Sequence, residues 1–436
     1  MKRIVLLVSL IIIYSQQVFS QELLTVDEAV ALALDNNYSI KLSKNDLLVA
    51  KENVTYGNAG ILPTVTANLN QNNNIQNSTQ KQATGETRSL DNARNNSLTY
   101  GVNVGWTIFD GLGMFARYET LKELEKQGDI LLKKTIVARV SEVISTYYTI
   151  VEQQNLLNAL DSSILISKER LRTAENRFTI GKASRLEVLN VQVNLNEDES
   201  NRLRQSQTVK NLKIALNSLL ARPLITDFLV VETVEINEQL KLADLLEQAS
   251  QHNPDLLAAS IARRLAELQE KTVKANRYPT VRVNGGYNFS RTESSLGFVA
   301  SSNSKGLNYG ITASVNIFDG LNQRRNERVA KLNVDQVDLQ IAQQKLTVET
   351  ALTQAYQSYI TNLELTGWEA KNERIAKQNL SITLEKYRIG TISAVEFRDA
   401  QQNFIQAVSR YNAALLEAKL SEANLLELVG KLNITQ

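Results

Sequence analysis

The spacing of hydrophobic and polar residues along this chain changes twice in each half. Helical spacing runs through VDEAVALALDNN and the good helix formers that follow, over about 27–60, up to Pro63. Past the proline the period becomes two. Val65, Ala67 and Leu69 alternate with Thr66, Asn68 and Asn70, and later Tyr100, Val102, Val104, Trp106 and Ile108 alternate with Thr99, Gly101, Asn103 and Thr107. From Gly113 to Thr179 helical spacing returns for 67 residues without a proline, enough for a rod of about 100 Å. The chain then turns at Gly181 and comes back as a helix over about 184–221.

The second half repeats this order. Strand periodicity follows Pro279 through Val281, Val283, Tyr287 and Phe289, then through Leu307, Tyr309, Ile311, Ala313, Val315 and Ile317. A long helix runs from Leu321 to Arg388, with a seam at Val334, Val337, Ile341, Val348, Leu352, Ala355 and Tyr359 in heptad spacing. A turn at Gly390 precedes the returning helix. In the first copy the opening and returning helices together come close to the length of the uninterrupted one, so the two short helices can lie end to end beside it.

The two halves are one unit copied. LTYGVNVGWTIFDGL (98–112) aligns with LNYGITASVNIFDGL (307–321), and RFTIGKASRLEVLNVQ (177–192) with KYRIGTISAVEFRDAQ (386–401), both 209 positions apart. Upstream the offset is 216, where ILPTV (61–65) meets RYPTV (277–281). The expected organisation is a first repeat over 21–222 with strands at about 64–75 and 98–109, a connecting segment over 223–239, and a second repeat over 240–436 with strands at about 280–290 and 307–318. The shared FDG ends a strand and opens a helix. Asp110 and Asp319 are placed to cap the first free helix N–H groups, and Gly111 and Gly320 let the chain change direction. Pro63 and Pro279 mark the opposite crossing, from helix to strand.

Residues 1–20 carry two basic residues and an apolar run from Ile4 to Ile13, a secretory signal peptide with cleavage after Ser20. No later stretch has the length and apolar character of a transmembrane helix, so strands must carry any membrane passage. The strand segments are almost free of charge, apolar on one face and polar on the other. That pattern suits a transmembrane barrel strand and also a soluble sandwich; the signal peptide and the duplication favour the barrel. Four strands cannot close a barrel, so three chains supplying twelve would do so. Trp106 then sits in an interfacial aromatic belt. The polar connections over 71–97 and 291–306 read as exterior loops.

The chain has no cysteine, and its 48 basic and 46 acidic residues nearly cancel, which excludes disulfides and thiolate sites and argues against nucleic acid as a partner. The single histidine, His252, lies in QHNPD as a loop residue before a proline. The run Glu197, Asp198, Glu199 reads as a solvated helix face. No nucleophile elbow, phosphate loop or metal-ligand spacing occurs, so neither an enzyme, a cofactor nor a metal site is expected. The rival class is an exported structural or adhesive coiled-coil protein without a pore.

The paired repeats, a proline before each strand pair, FDG after it, and G-x-x-S-x-x-E-V/F-x-x-x-Q after each long helix make the chain resemble the TolC-like outer-membrane efflux protein family over nearly all of its mature length. The resemblance implies a mixed α/β membrane protein of the outer membrane: a homotrimer whose twelve-stranded barrel continues into an α-helical periplasmic tunnel. It implies docking to a periplasmic adaptor (membrane fusion) protein and, through it, to an inner-membrane pump of the RND, ABC or MFS class, as the exit duct of efflux or type I secretion. Gly181, Gly390, Ser184 and Ser393 would then form the tip turns that meet the adaptor. Glu396 and Asp399 fall where the family lines its tip constriction with acids. Tyr387 and Glu187 match positions that hold the closed tip by a hydrogen bond. A basic residue that joins this contact in the family is replaced here by Ile392.

Overall fold

The computed structural model describes residues 22–296 and 299–431; the expected signal peptide lies outside them. In chain order the elements are β1 Glu22–Leu24, α1 Val26–Asn36, α2 Tyr38–Glu52, β2 Thr64–Lys81, β3 Thr87–Asp110, α3 Gly113–Thr179 and α4 Arg185–Leu219. Then follow β4 Phe228–Val230, α5 Leu242–His252, α6 Pro254–Ala275, β5 Thr280–Ser294, β6 Ser301–Ser314, α7 Asn322–Arg388 and α8 Ala394–Val429. The described residues fall into two compact units: one holds residues up to Lys44, Leu131–Leu256 and those from Lys345 onward, the other Asn45–Ile130 and Leu257–Gln344.

The first unit is helical. Its largest core gathers Tyr147, Ile150 and Val151 of α3, Leu216 and Leu220, and Leu24 and Phe228 from the parallel pair β1–β4. The Tyr147 hydroxyl donates to Leu24 O (2.9 Å) and accepts from Val231 N–H (3.0 Å), joining the ends of that pair. A second core buries Val348, Leu352, Ala355 and Tyr359, the lower half of the predicted seam, against Leu425 and Val429.

The opening helix expected over about 27–60 is two helices, broken at Asn37. Its Oδ1 accepts from Ser39 and Ile40 N–H (2.9 and 3.3 Å), and its Nδ2 donates to Leu219 O (2.8 Å). A short amide that caps a new helix competes with continuing the old one. Asn253 repeats the device between α5 and α6: Oδ1 accepts from Asp255 and Leu256 N–H, and Nδ2 donates to Leu428 O (2.7 Å).

The second unit is built around one antiparallel sheet in the order β2-β3-β5-β6. Its register brings the apolar positions of all four strands onto one face: Leu69, Tyr100 and Phe289 share one row, which Lys305 of β6 ends, Ala67, Val102, Tyr287 and Leu307 the next, and Trp106, Val283 and Ile311 a third. Tyr100 and Phe289 stack with ring centres 4.9 Å apart. On the other face asparagine and glycine alternate like a chequerboard. Gly286 stands between Asn103 and Asn308, and Asn288 between Gly101 and Gly306. Asn288 Nδ2 donates to Asn103 Oδ1 (3.1 Å) and Asn308 Oδ1 (2.9 Å).

The expected exterior loops are largely strand. β2 runs on to Lys81 and β3 starts at Thr87, around a short turn closed by Gln82 N–H to Glu86 O (2.8 Å). The β2 part of this extension, 76–81, is polar on both faces, so it carries no alternation to read. Conversely β6 stops at Ser314, short of the expected 318. Among the described residues its only partner is β5, and Ser314 pairs with Thr280, where β5 begins after Pro279. β3 meets partners on both sides and reaches Asp110, with a bulge at Ile108 that sets Phe109 opposite Val281.

Candidate functional site

Two places carry the expected functional residues: the turns that end the long helices, and the joints that begin them. Each turn is built identically from the repeated motif. After α3, Gly181 adopts φ +74°, Gly181 N–H bonds Phe178 O (2.9 Å) and Lys182 N–H bonds Arg177 O (2.7 Å). After α7, Gly390 adopts φ +80°, with Gly390 N–H to Tyr387 O and Thr391 N–H to Lys386 O, both 3.0 Å. This double closure of a helix end needs the left-handed backbone that glycine adopts without penalty. The next helix starts at once: Ser184 Oγ accepts from Glu187 N–H (3.1 Å) and Ser393 Oγ from Glu396 N–H (3.2 Å).

Around these turns Tyr387 is buried against Phe397, ring centres 5.5 Å apart, within a cluster that includes Leu380, Leu384 and Ile392. Its hydroxyl lies 3.5 Å from Glu187 Oε1, the outer limit of a hydrogen bond. Burial pushes the phenol up from its ordinary value, opposed by the Arg170 charge, so it remains a neutral donor at neutral pH. Ile392 packs into the apolar cluster, and the base beside Glu187 is Arg177, whose Nη1 stands 3.6 Å from Glu187 Oε1. Glu396 and Asp399 are exposed, three residues apart on α8, while Phe397, Ala400 and Gln401 face inward.

A buried polar network lies beside this cluster, and the sequence reading missed it. Asp198 is not solvated: it is 7% exposed, and only its neighbours Glu197 and Glu199 face outward. Arg398 Nη1 bonds Asp198 Oδ1 (2.7 Å), Arg398 Nη2 bonds Glu197 Oε2 (3.1 Å), and Ser167 Oγ donates to Asp198 Oδ2 (2.6 Å). Gln401 Nε2 donates to Ser163 Oγ (2.8 Å) and Ser167 Oγ (2.7 Å). Arg170 Nη2 donates to Ala394 O (3.0 Å), and its guanidinium lies over the Tyr387 and Phe397 rings. The signal was present in the spacing: Val188, Val191, Leu195 and Asp198 are 3, 4 and 3 apart, so Asp198 takes the next core position of α4.

At the joints, Asp110 Oδ1 accepts from Met114 N–H (3.0 Å) and Asp319 Oδ2 from Gln323 N–H (2.7 Å). Asp110 Oδ2 is also held by Arg117 Nη2 at 2.8 Å. Gly111 and Gly320 have φ +72° and +71°, and Leu112 and Leu321, which follow them, are also left-handed at +70° and +65°. Trp106 is 43% exposed on the apolar face, and its Nε1–H donates to Ile61 O (2.8 Å). Pro63 and Pro279 directly precede β2 and β5.

Among the described residues no group of three or more His, Cys, Asp or Glu is placed to hold a metal ion, and no helix is long and apolar enough to cross a membrane. An amphipathic antiparallel sheet with two copies of a long helical hairpin, free at both sheet edges, defines the class of outer-membrane channels built from strands and helical hairpins. The chain belongs to the outer membrane efflux protein family, whose model matches residues 29–222 and 245–431. It is 24% identical over 427 residues to Protein CyaE of Bordetella pertussis, covering 93% of this chain and 84% of that protein. It is 21% identical over 400 residues to Outer membrane protein TolC of Vibrio cholerae, covering 88% and 85%. Among solved structures the CmeC outer membrane channel of Campylobacter jejuni superposes with a TM-score of 0.75 at 19% identity, covering 93% of this chain and 85% of that one. Its place is the outer membrane, reaching into the periplasm.

Proposed function

We propose that three copies of this chain close into a twelve-stranded barrel with a helical periplasmic tunnel, and that this conduit is the exit duct of a tripartite efflux or type I secretion system. The observation that carries the reading is the sheet itself. Among the described residues β2 pairs only with β3 and β6 only with β5, so both edges stay open beside a largely apolar face. In hydrocarbon each unpaired backbone group costs several kcal/mol, and ring closure by further copies removes every edge. The helical unit supports the same assembly. Trp368, Ile375 and Ile382 stand exposed at seven-residue intervals on α7, with Ile389 one interval further just past its end, as do Leu186 and Val193 on α4. Exposed apolar stripes of this spacing seek a partner helix.

Within this reading Gly181, Ser184, Gly390 and Ser393 shape the tips that meet a periplasmic adaptor, which links the duct to an inner-membrane RND, ABC or MFS pump. Glu396 and Asp399 line the constriction, where three chains set six carboxylates round one aperture and favour cations. Tyr387 and Glu187 latch it. The joints at Asp110, Gly111, Asp319 and Gly320, with Pro63 and Pro279, carry the chain between membrane and periplasm, and Trp106 anchors the interface against lipid. A pore-less structural protein would leave the open sheet edges unexplained.

Full-length protein reconstituted in planar bilayers tests the reading. Heat-modifiable trimers with a defined conductance, blocked by multivalent cations, are expected, and Glu396→Ala with Asp399→Ala should weaken that block. A water-soluble product without conductance overturns the channel; unchanged block removes these two acids from the constriction.

A further inference from the structure

Ile392 leaves the tip without the base that the family resemblance places there. The latch that remains between the hairpins is slight: Tyr387 meets Glu187 at 3.5 Å, while the Arg177–Glu187 pair at 3.6 Å joins α3 to α4 within the first hairpin. We propose that the buried pair Asp198–Arg398 is the clamp that holds the second hairpin, α7–α8, shut against the first, α3–α4, and that both are positioning residues for the constriction acids. The inference rests on the gated-channel reading above.

The geometry separates this pair from an ordinary surface contact. The two side chains are 10% and 12% exposed and meet at 2.7 Å. Ser167 fills the second oxygen of the Asp198 carboxylate, and Glu197 takes the second terminal nitrogen of Arg398. Around it further bonds cross between the first hairpin and α8: Gln401 of α8 donates to Ser163 and Ser167, and Arg170 of α3 donates to the Ala394 carbonyl. Arg170 Nε is buried without a partner, so this guanidinium is held in place at the cost of one unmet donor. Parting the hairpins would strand two desolvated charges at once, which is strongly unfavourable. Parting the latch strands none.

Arg398 also stands between Glu396 and Asp399 in sequence. Held inward by Asp198, it fixes the rotation of α8 that leaves both acids exposed. The clamp was not part of the duplicated plan. At the 209-residue offset Arg398 corresponds to Leu189 and Asp198 to Ala407, whereas Gln401 retains its counterpart Gln192. Each copy supplies one half of the lock, and neither half is repeated at the matching position of the other copy.

The chain has no cysteine, so spin labels can be placed at Lys182→Cys and Thr391→Cys, one on each exposed turn, in the full-length protein. Double electron–electron resonance then reads the separation of the turns directly. Wild type should show one short distance. Asp198→Asn, which keeps an acceptor for Ser167, should raise the fraction at longer distance about ten-fold, the scale on which losing one differential contact shifts a two-state population. Bilayer conductance should rise with it. If Asp198→Asn does not fold, Arg398→Lys, whose one nitrogen cannot span Asp198 and Glu197 as the guanidinium fork does, serves the same test and should shift the distance in the same direction. An unchanged distance distribution overturns the clamp, and so does a lower melting temperature at unchanged distance, which marks a merely structural pair. If distances shift while wild type itself never conducts, the clamp stands and the channel reading falls.

Discussion

Gly111 and Gly320 occupy one position of the duplicated unit, and the same substitution should act differently at each. Both need a left-handed backbone, which costs an alanine about 1–2 kcal/mol; the stiffer unfolded chain returns ~0.4–1 kcal/mol. Around Gly320 the nearest atom to an added Cβ is Asn322 Nδ2 at 3.6 Å, an ordinary contact. Gly320→Ala should therefore cost the isolated chain about 1 kcal/mol. At Gly111 the added Cβ would lie 2.9 Å from Tyr278 Cβ and 3.0 Å from the Ala275 carbonyl carbon, and closer still to the carbonyl oxygen. Backbone must move, so overpacking of ~1–3 kcal/mol adds to the strain, and Gly111→Ala should cost about 3 kcal/mol. The free space at Gly320 is itself informative. Ala59 stands to Ala275 at the 216-residue offset that relates Pro63 to Pro279. If three chains close into a ring, Ala59 of a neighbouring chain arrives at Gly320 as Ala275 arrives at Gly111. Gly320→Ala should then leave the unassembled chain folded but cut trimer yield, read as the heat-modifiable band and by size exclusion in detergent. Normal trimers from Gly320→Ala would refute closure through this joint, and a Gly111→Ala cost below 1 kcal/mol in denaturant titration would refute the steric argument.

Two other perturbations follow from contacts already described. Because Arg177 supplies the base beside Glu187, Arg177→Ala should raise resting conductance more than Tyr387→Phe, which removes only a contact at the limit of hydrogen bonding; the reverse order in planar bilayers would refute the assignment. Tyr148, buried beside Tyr147 and Glu422, has its phenol pushed from 10.0 up to about 12, chiefly by burial. Below pH 10 it is neutral folded or unfolded, so its contribution is intact. Above pH 10 the unfolded chain ionises first, and about 3 kcal/mol of stability should be lost as the pH approaches the folded value. Thermal melts of wild type and Tyr148→Phe across this range check it, and an identical decline in both would refute it.

The periods of two and 3.6, the FDG joints and the paired glycine turns were legible because each is a local pattern with a local cause. The first long helix ends where its residues predict, at Thr179. What escaped depends on partners distant in sequence. The break at Asn37 is held by the Leu219 carbonyl, and nothing near Asn37 announces it. The extension of β2 to Lys81 rests on cross-strand pairing of polar residues whose two faces are equally wet. Asp198 was hidden by composition: flanked by Glu197 and Glu199 it looks like a solvated run, and only its spacing from Leu195 reveals the inward face. Ile392 stands where the resemblance places a base, and the base beside Glu187 is Arg177, across the turn and with no sequence motif to mark it.

The chequerboard on the polar face of the sheet binds the two copies of the unit together in time as well as in space. Gly101 leaves room for Asn288, and Gly286 leaves room for Asn103 and Asn308, so that each half makes space for the other's amides. After such a fit, the ancestral copies can no longer drift independently along the β3–β5 seam. A larger residue in one half requires a smaller one in the other, and the duplication has become a single inheritance.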